Sequence, residues 1–343
     1  MRIIKPVLFI AALLLMVEIS FRIYLFGINS INPIRMNSYT QIHYSGITQP
    51  ASIPAVYYEL RPDFDGWYKG TRFTTSSAGL RDREYPANKP ADTFRVAVLG
   101  SSWTMGSGVK QEEIWHSVIE TELNNRGKSQ HYEFINFGVD QYGLGEIIAT
   151  LEHKVPAYQP DLILIALTHY TPTVLWPEPP VSYVEQKRRN PFFGFYTLRV
   201  IDLRFSLGIY TDSNTRRESV VGEDNFKRQL EHYIERVETF SRNTNIPVAM
   251  AKIAYSRKWK RNIKLDIEKK SDASILNSPD NDFVYISILE RILNQGYKPI
   301  NLRISNWDSH PNPIAHQLIA NAVLEALIEN NLIPATASSS VTP

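Results

Sequence analysis

The chain has 343 residues, room for one large domain or two smaller ones. Hydrophobic residues make up 43% and charged residues 21%, an ordinary globular composition with material for a substantial core. The 37 basic and 35 acidic residues leave a net charge of +2, which implies no strong field toward nucleic acid, and the absence of cysteine excludes a thiolate nucleophile, disulfides and a Cys-ligated metal site.

The N-terminus opens with Arg2 and Lys5, followed by an apolar run from Pro6 to Val17. Glu18 and Arg22 interrupt a stretch that continues to Phe26. The uninterrupted run has signal-peptide length, whereas the whole stretch is long enough to span a bilayer. No small-x-small cleavage site follows it. Glu18 and Arg22 are four apart, so they share a helix face and can pair, or snorkel near the far interface. Residues 1–27 are therefore read as an uncleaved signal anchor, with the basic end inside and the bulk of the chain on the periplasmic or extracytoplasmic side. A cleaved signal peptide is the rival reading.

Residues 28–90 are rich in Tyr, Pro, Ser and Thr with little periodicity, and read as an irregular, partly β segment. An alternation of strands and helices then begins. Arg95–Leu99 and Tyr132–Asn136 are short strands, Gln111–Asn125 and Leu144–His153 are helices, and Asp161–Leu167 is a continuous apolar run typical of a buried parallel strand. Thr171 to about Gly222 is Pro- and aromatic-rich and long for a connection, so it is expected to contain some structure of its own or to form a lid-like insertion. Asn225–Asn243 carries an amphipathic helix pattern, Ile246–Ile253 a strand, Asp282–Asn294 a helix, and Tyr297–Arg303 leads into a last short strand. Pro313–Ile328 closes the domain as a helix, with Asn312 as N-cap and Pro313 at its first position. Residues 91–333 thus form the main α/β domain, and the Ser/Thr/Pro-like tail 334–343 is expected to be disordered.

Three blocks carry chemistry. The first is Gly100-Ser101-Ser102-Trp103-Thr104-Met105-Gly106, just after the strand Arg95–Leu99. A turn serine by itself serves a turn or a cap more often than a reaction. Here it stands where a parallel sheet presents its carboxyl edge to ligands, with helix-start N–H groups beside it for a developing oxyanion. The second block is Asn136-Phe137-Gly138-Val139-Asp140-Gln141-Tyr142-Gly143, and the third is Asp308-Ser309-His310-Pro311-Asn312 followed by His316. A serine, a histidine and an aspartate of this kind suit nucleophile, general base and orienting acid whatever their distance in sequence. His116 and His153 are scattered and show no metal-ligand spacing, and no phosphate-cradling glycine pattern is present, so neither a metal nor a cofactor is expected.

In order and spacing the blocks resemble the SGNH (GDSL-type) hydrolases, esterases and acyl hydrolases with a flavodoxin-like three-layer αβα fold and a mainly parallel sheet. The resemblance extends over about residues 91 to 330, and upstream Ser77–Tyr85 is similar to a segment of membrane-anchored bacterial members. It implies Ser102 as nucleophile, His310 as general base and then acid, and Asp308 as the residue that orients His310. It also implies the backbone N–H groups of Ser102 and Gly138 as oxyanion donors, with glycine at 138 leaving room for substrate. An extended Asp-x-His segment points alternate side chains the same way, so direct support of His310 by Asp308 calls for a turn. Two positions depart from the family pattern. Ser101 replaces the usual Asp before the nucleophile, and no Asn donor follows the buried strand, where the chain reads Ala166-Leu167-Thr168-His169-Tyr170-Thr171. Tyr170 falls nearest by register, and Thr168 and His169 are the other substitutes. His316, on the closing helix, reads as structural. Trp103, Tyr142 and Trp176 are aromatic enough to stack on a sugar, but packing is the commoner role.

The implied function is a serine esterase that removes acyl groups, acetyl foremost, from an exported or cell-surface carbohydrate, with the membrane as its other partner. The alternatives are an O-acyltransferase on envelope polysaccharide, or a catalytically degenerate protein of the same fold that binds glycan or assembles a complex.

Overall fold

The computed structural model describes residues 4–32, 41–53, 56–86, 88–126, 130–168, 195–205, 223–253, 275–305 and 308–334. His169, Tyr170, Trp176 and the tail 335–343 lie outside these residues, as do two short Lys/Arg-rich pieces, Lys187-Arg188-Arg189 and Arg257-Lys258-Trp259-Lys260-Arg261, that read as solvated charge rather than a nucleic-acid site.

Helix α1 runs Ile4–Phe26 and is followed by a 3-10 turn, Ile28–Ile31. Two small antiparallel pairs come next: β1 (Thr48–Pro50) with β2 (Tyr58–Leu60), and β3 (Asp65–Tyr68) with β4 (Thr71–Thr74). The β3–β4 hairpin turns on Lys69 and Gly70, both with positive φ (52° and 79°), the backbone a two-residue hairpin loop requires. The β structure expected within 28–90 is therefore present as two hairpin-like ribbons.

The main sheet contains β5 (Thr93–Gly100), β6 (His131–Asn136), β7 (Leu162–Leu167), β8 (Val248–Lys252) and β9 (Val284–Ser287). All are parallel, in the order β6-β5-β7-β8-β9. Renumbered within the sheet this is 2-1-3-4-5, the flavodoxin-like order, whose topological switch lies between β5 and β7. The helices are α2 (Ser102–Met105), α3 (Trp115–Arg126), α4 (Leu144–His153), α5 (Tyr196–Phe205), α6 (Glu223–Thr244), α7 (Leu289–Leu293) and α8 (Pro313–Glu329).

Successive residues of β5 and β7 point to opposite faces, as the strand period demands. Ala97, Leu99, Ile163 and Ile165 join a core with α4 and α6, and Val96, Val98, Leu162 and Leu164 join one with α3, α7 and α8. The result is three layers with both sheet faces covered, which is why β7 reads as an unbroken apolar run. The first core also includes Leu25 and Phe26 of α1 and Tyr68 and Phe73 of the β3–β4 hairpin. The end of the N-terminal helix is thus packed into the domain.

Three expectations need correction: the helix expected over Gln111–Asn125 is a 3-10 turn, Gln111–Glu113, and then α3, because Ile114 between them is extended. The helix expected over Asp282–Asn294 is strand β9 followed by the short α7, because Val284–Ser287 finds a partner in β8. Tyr297–Arg303 forms a 3-10 turn, Pro299–Leu302, with a single antiparallel bridge from Arg303 to Pro311 rather than a strand.

Candidate active site

Ser101 and Ser102 follow the carboxyl end of β5. Ser101 is the N-cap of α2, and its carbonyl accepts from the N–H groups of Thr104 and Met105 at 3.0 and 2.9 Å. Gly106 ends the turn with φ 78°. The Ser102 side chain is half-buried, and no hydrogen bond ties its hydroxyl to a described residue.

Asp308 and His310 are brought together on the loop before α8. The Asp308 carboxylate accepts from the His310 backbone N–H at 3.0 Å and contacts the ring Nδ1 through the same oxygen. This is the turn that an Asp-x-His segment needs. The loop is pinned on both sides: Ile304 N–H donates to the His310 carbonyl at 2.9 Å, and the Asn312 side chain accepts from Ala315 N–H at 3.0 Å as the α8 cap. With Nδ1 directed at Asp308, Nε2 is the ring atom left for a nucleophile. Burial works to raise the Asp308 carboxyl, but the charges of His310 and Lys69 and the hydrogen bonds from His310 outweigh it and hold the group well below the usual carboxylate range.

Lys69 was not singled out by sequence. Its ammonium lies 3.0 Å from Asp308 Oδ2 and 3.0 Å from His310 Nδ1. Its side chain is only 6% exposed. A lone lysine in a Tyr-Lys-Gly-Thr turn carries no signal of such a role; the hairpin's docking supplies it. The serine and histidine loops also meet at this point, since Gly108 packs against Ile304 and Lys69.

Gly138 occupies the turn after β6. A Cβ there would lie 2.6 Å from Met105 N and 2.8 Å from Thr104 Cβ. Glycine is therefore required by the close approach of the α2 backbone, a different reason from the substrate clearance expected. The Gly138 N–H donates to Asn136 Oδ1 at 2.9 Å. Serving an oxyanion would mean sharing or surrendering that bond.

Ser101 Oγ lies 3.4 Å from Thr168 Oγ1, with both residues buried at the β5–β7 switch point. Trp103 and Tyr142 are core residues rather than exposed platforms. His116 and His316 are fully buried behind the α2 turn. His116 Nε2 lies 3.2 Å from the Thr104 carbonyl, and His316 Nδ1 accepts from Trp115 N–H at 3.3 Å. Burial pushes both imidazoles down to about 3, so they are neutral. Among the described residues no group of three or more His, Asp or Glu is placed to hold a metal ion.

The strand order and the three blocks at one sheet edge decide the architecture. The fold is a flavodoxin-like three-layer α/β sandwich. No family model matches the chain, and no curated protein matches its sequence. Among solved structures it is similar to an acetyl xylan esterase, with 18% identity, 68% of this chain and 100% of that one covered, and a TM-score of 0.43. It is also similar to a putative lipolytic protein of the G-D-S-L family from Desulfitobacterium hafniense DCB-2, with 12% identity, 68% and 99% covered, and a TM-score of 0.40. A two-domain esterase active on acetylated mannans is similar at 14% identity, with 73% of this chain but 53% of that one covered, and a TM-score of 0.42.

Proposed function

We propose that the chain is a membrane-anchored serine esterase acting on acylated carbohydrate through an acyl-enzyme on Ser102. The observation that carries this reading is the Asp308–His310 pair, held in a turn against the loop that follows Ser102. His310 Nε2 takes the Ser102 proton as Oγ attacks the ester carbonyl, and the tetrahedral oxyanion forms beside the Ser102 and Gly138 N–H groups. Collapse expels the alcohol, which receives the proton from His310. Water activated by His310 then releases the acid and restores the serine. Asp308 holds Nδ1–H and offsets the imidazolium charge.

Retention of the anchor is supported by where α1 ends. Glu18 Oε1 and Oε2 accept the N–H groups of Tyr196 and Thr197 at 2.8 and 2.7 Å, and Arg22 pairs with Glu18 at 2.5 Å. Phe26 packs on Tyr44, Tyr68 and Tyr196. Cleavage near the end of the apolar stretch would remove these groups from the core.

A fluorophosphonate probe tests the nucleophile. The expected result is labelling of the wild type and none of Ser102→Ala, together with hydrolysis of short acyl esters by the wild type alone. A folded wild type that neither labels nor hydrolyses overturns the esterase reading and leaves the glycan-binding one, which the engaged Gly138 N–H favours. Transfer of the acyl group to an added glycan in preference to water identifies an O-acyltransferase.

A further inference from the structure

α1 is long enough to span a bilayer only if its buried end is counted. Its freely exposed apolar part, Ile4 to Val17, contributes 14 residues, whereas Glu18 and Arg22 are covered by the domain. At 1.5 Å per residue those 14 residues reach about 21 Å, short of the roughly 30 Å hydrocarbon core. About 20 residues are needed, which carries the far boundary of the hydrocarbon to about Ile23.

At that level the protein presents a rim of apolar and aromatic side chains. Tyr24 is 69% exposed, Ile28 63% and Trp67 50%. They are contiguous: the Gly27 backbone lies against Trp67, Gly70 lies against the Tyr24 ring, and Gly70 N–H donates to the Leu25 carbonyl at 2.9 Å. Tyr and Trp are the residues whose ring and polar tip suit the headgroup level. The two ionisable groups below the rim are paired with each other, and Glu18 also accepts the first α5 N–H groups, the arrangement that charged side chains need at membrane depth.

We infer that the catalytic domain is seated on the lipid surface, with the end of α1, the Ile28–Ile31 turn and the β3–β4 hairpin in the interface, and does not hang from a free tether. The occupant of the apolar rim is the bilayer itself, because the rim continues the exposed face of α1 without a break. Trp67 on β3 and Lys69 in its turn are two residues apart on one hairpin, so their backbones lie within about 7 Å of each other. The Asp308–His310 pair is therefore held close to the membrane, and the site meets an ester presented at the lipid surface rather than in bulk solution. This inference rests on the anchoring proposed above.

The cysteine-free chain allows single labels. Leu13→Cys, Ile28→Cys, Trp67→Cys and Glu325→Cys would each carry an environment-sensitive fluorophore in full-length protein reconstituted into phosphatidylcholine vesicles. Circular dichroism melting would verify each fold. Seating predicts that labels at 13, 28 and 67 are quenched by lipid-borne nitroxide and lose most of their accessibility to iodide, with the reverse at 325. Lipid quenching at 13 with iodide access at 28 and 67 overturns the seating and leaves the anchor standing. Iodide access at 13 as well overturns the anchor. Labels at 28 and 67 shielded from both quenchers mean that protein covers the rim, which also overturns the inference.

Discussion

Replacing Lys69 with methionine tests how the proposed acid–base pair, Asp308 and His310, is held. The ammonium touches both Asp308 Oδ2 and His310 Nδ1 at 3.0 Å, yet one Nδ1 cannot donate to Asp308 and accept from Lys69 at the same time. In the tautomer that catalysis needs, Nδ1 keeps its proton for Asp308, and Lys69 is left to hold Oδ2. Two effects oppose each other. The ammonium fixes the plane of the carboxylate, but its charge also repels the imidazolium that forms in the transition state. At 3.0 Å and an effective dielectric of about 20, the attraction to Asp308 is about 5–6 kcal/mol before desolvation. The net worth of a hydrogen bond to a charged group is about 1.5–3 kcal/mol. If orientation dominates, kcat for 4-nitrophenyl acetate falls by about 10- to 150-fold, at 1.4 kcal/mol per tenfold. KM changes little, because the lysine touches the base and not the ester. Lys69→Arg recovers part of the loss, since a guanidinium still donates to Oδ2. A folded Lys69→Met protein with kcat at or above wild type refutes the reasoning and shows that repulsion of the imidazolium outweighs orientation.

Arg81→Met is expected to lower stability by about 3–5 kcal/mol in urea titrations, because it removes a buried cation and orphans the carbonyls it bonds, those of Met105, Gly106 and Val109. Gly138→Ala is expected to slow phosphonate labelling of Ser102, since its Cβ must displace the Met105 and Thr104 backbone; an unchanged labelling rate counts against the close packing. His316→Gln tests the buried imidazole, whose value falls from 6.5 to about 3. Its contribution is present above pH 6.5 and is lost as pH falls toward 3, by about 1.4 kcal/mol per pH unit. The variant should therefore gain about 2 kcal/mol on wild type between pH 6.5 and 5, read from paired urea midpoints.

The strands β5 to β8 were legible because they are almost fully covered and their apolar runs follow from that burial. The Leu144–His153 helix and the Asn312-Pro313 start of the last helix were legible from local chemistry. Val284–Ser287 was not, because a run as short as Val284-Tyr285-Ile286 is ambiguous between helix and strand until β8 offers a partner. The helix expected over Gln111–Asn125 breaks at Ile114 into a 3-10 turn and α3, since Ile114 is extended at ψ 138° and buried. Asp308 and His310 could be read as a pair because only Ser309 separates them. Lys69 lies 241 residues from His310 and reaches it only through tertiary docking.

The segment between α1 and the sheet does more than connect them. Arg81 bonds the carbonyls that end the α2 turn, so it holds the loop that carries Ser102. The next residue, Asp82, accepts the Asn136 N–H at 2.9 Å, and the Asn136 amide donates to the Arg81 carbonyl at 3.1 Å. Asn136 in turn fixes Gly138. Lys69 reaches the third block. All three blocks are thus fastened from residues 69–82, and none of these bonds comes from the sheet ladder. Burial pushes the Asp82 carboxyl up to about 7, although it accepts N–H donors from Asn136 and Arg83, so the clamp is maintained against its own desolvation. A parallel sheet can place three loops at one edge, but it leaves each loop free to move by the ångström that decides reactivity. Here the fastening residues belong to a segment packed on the end of α1, so the loops around Ser102 are braced in part by that helix.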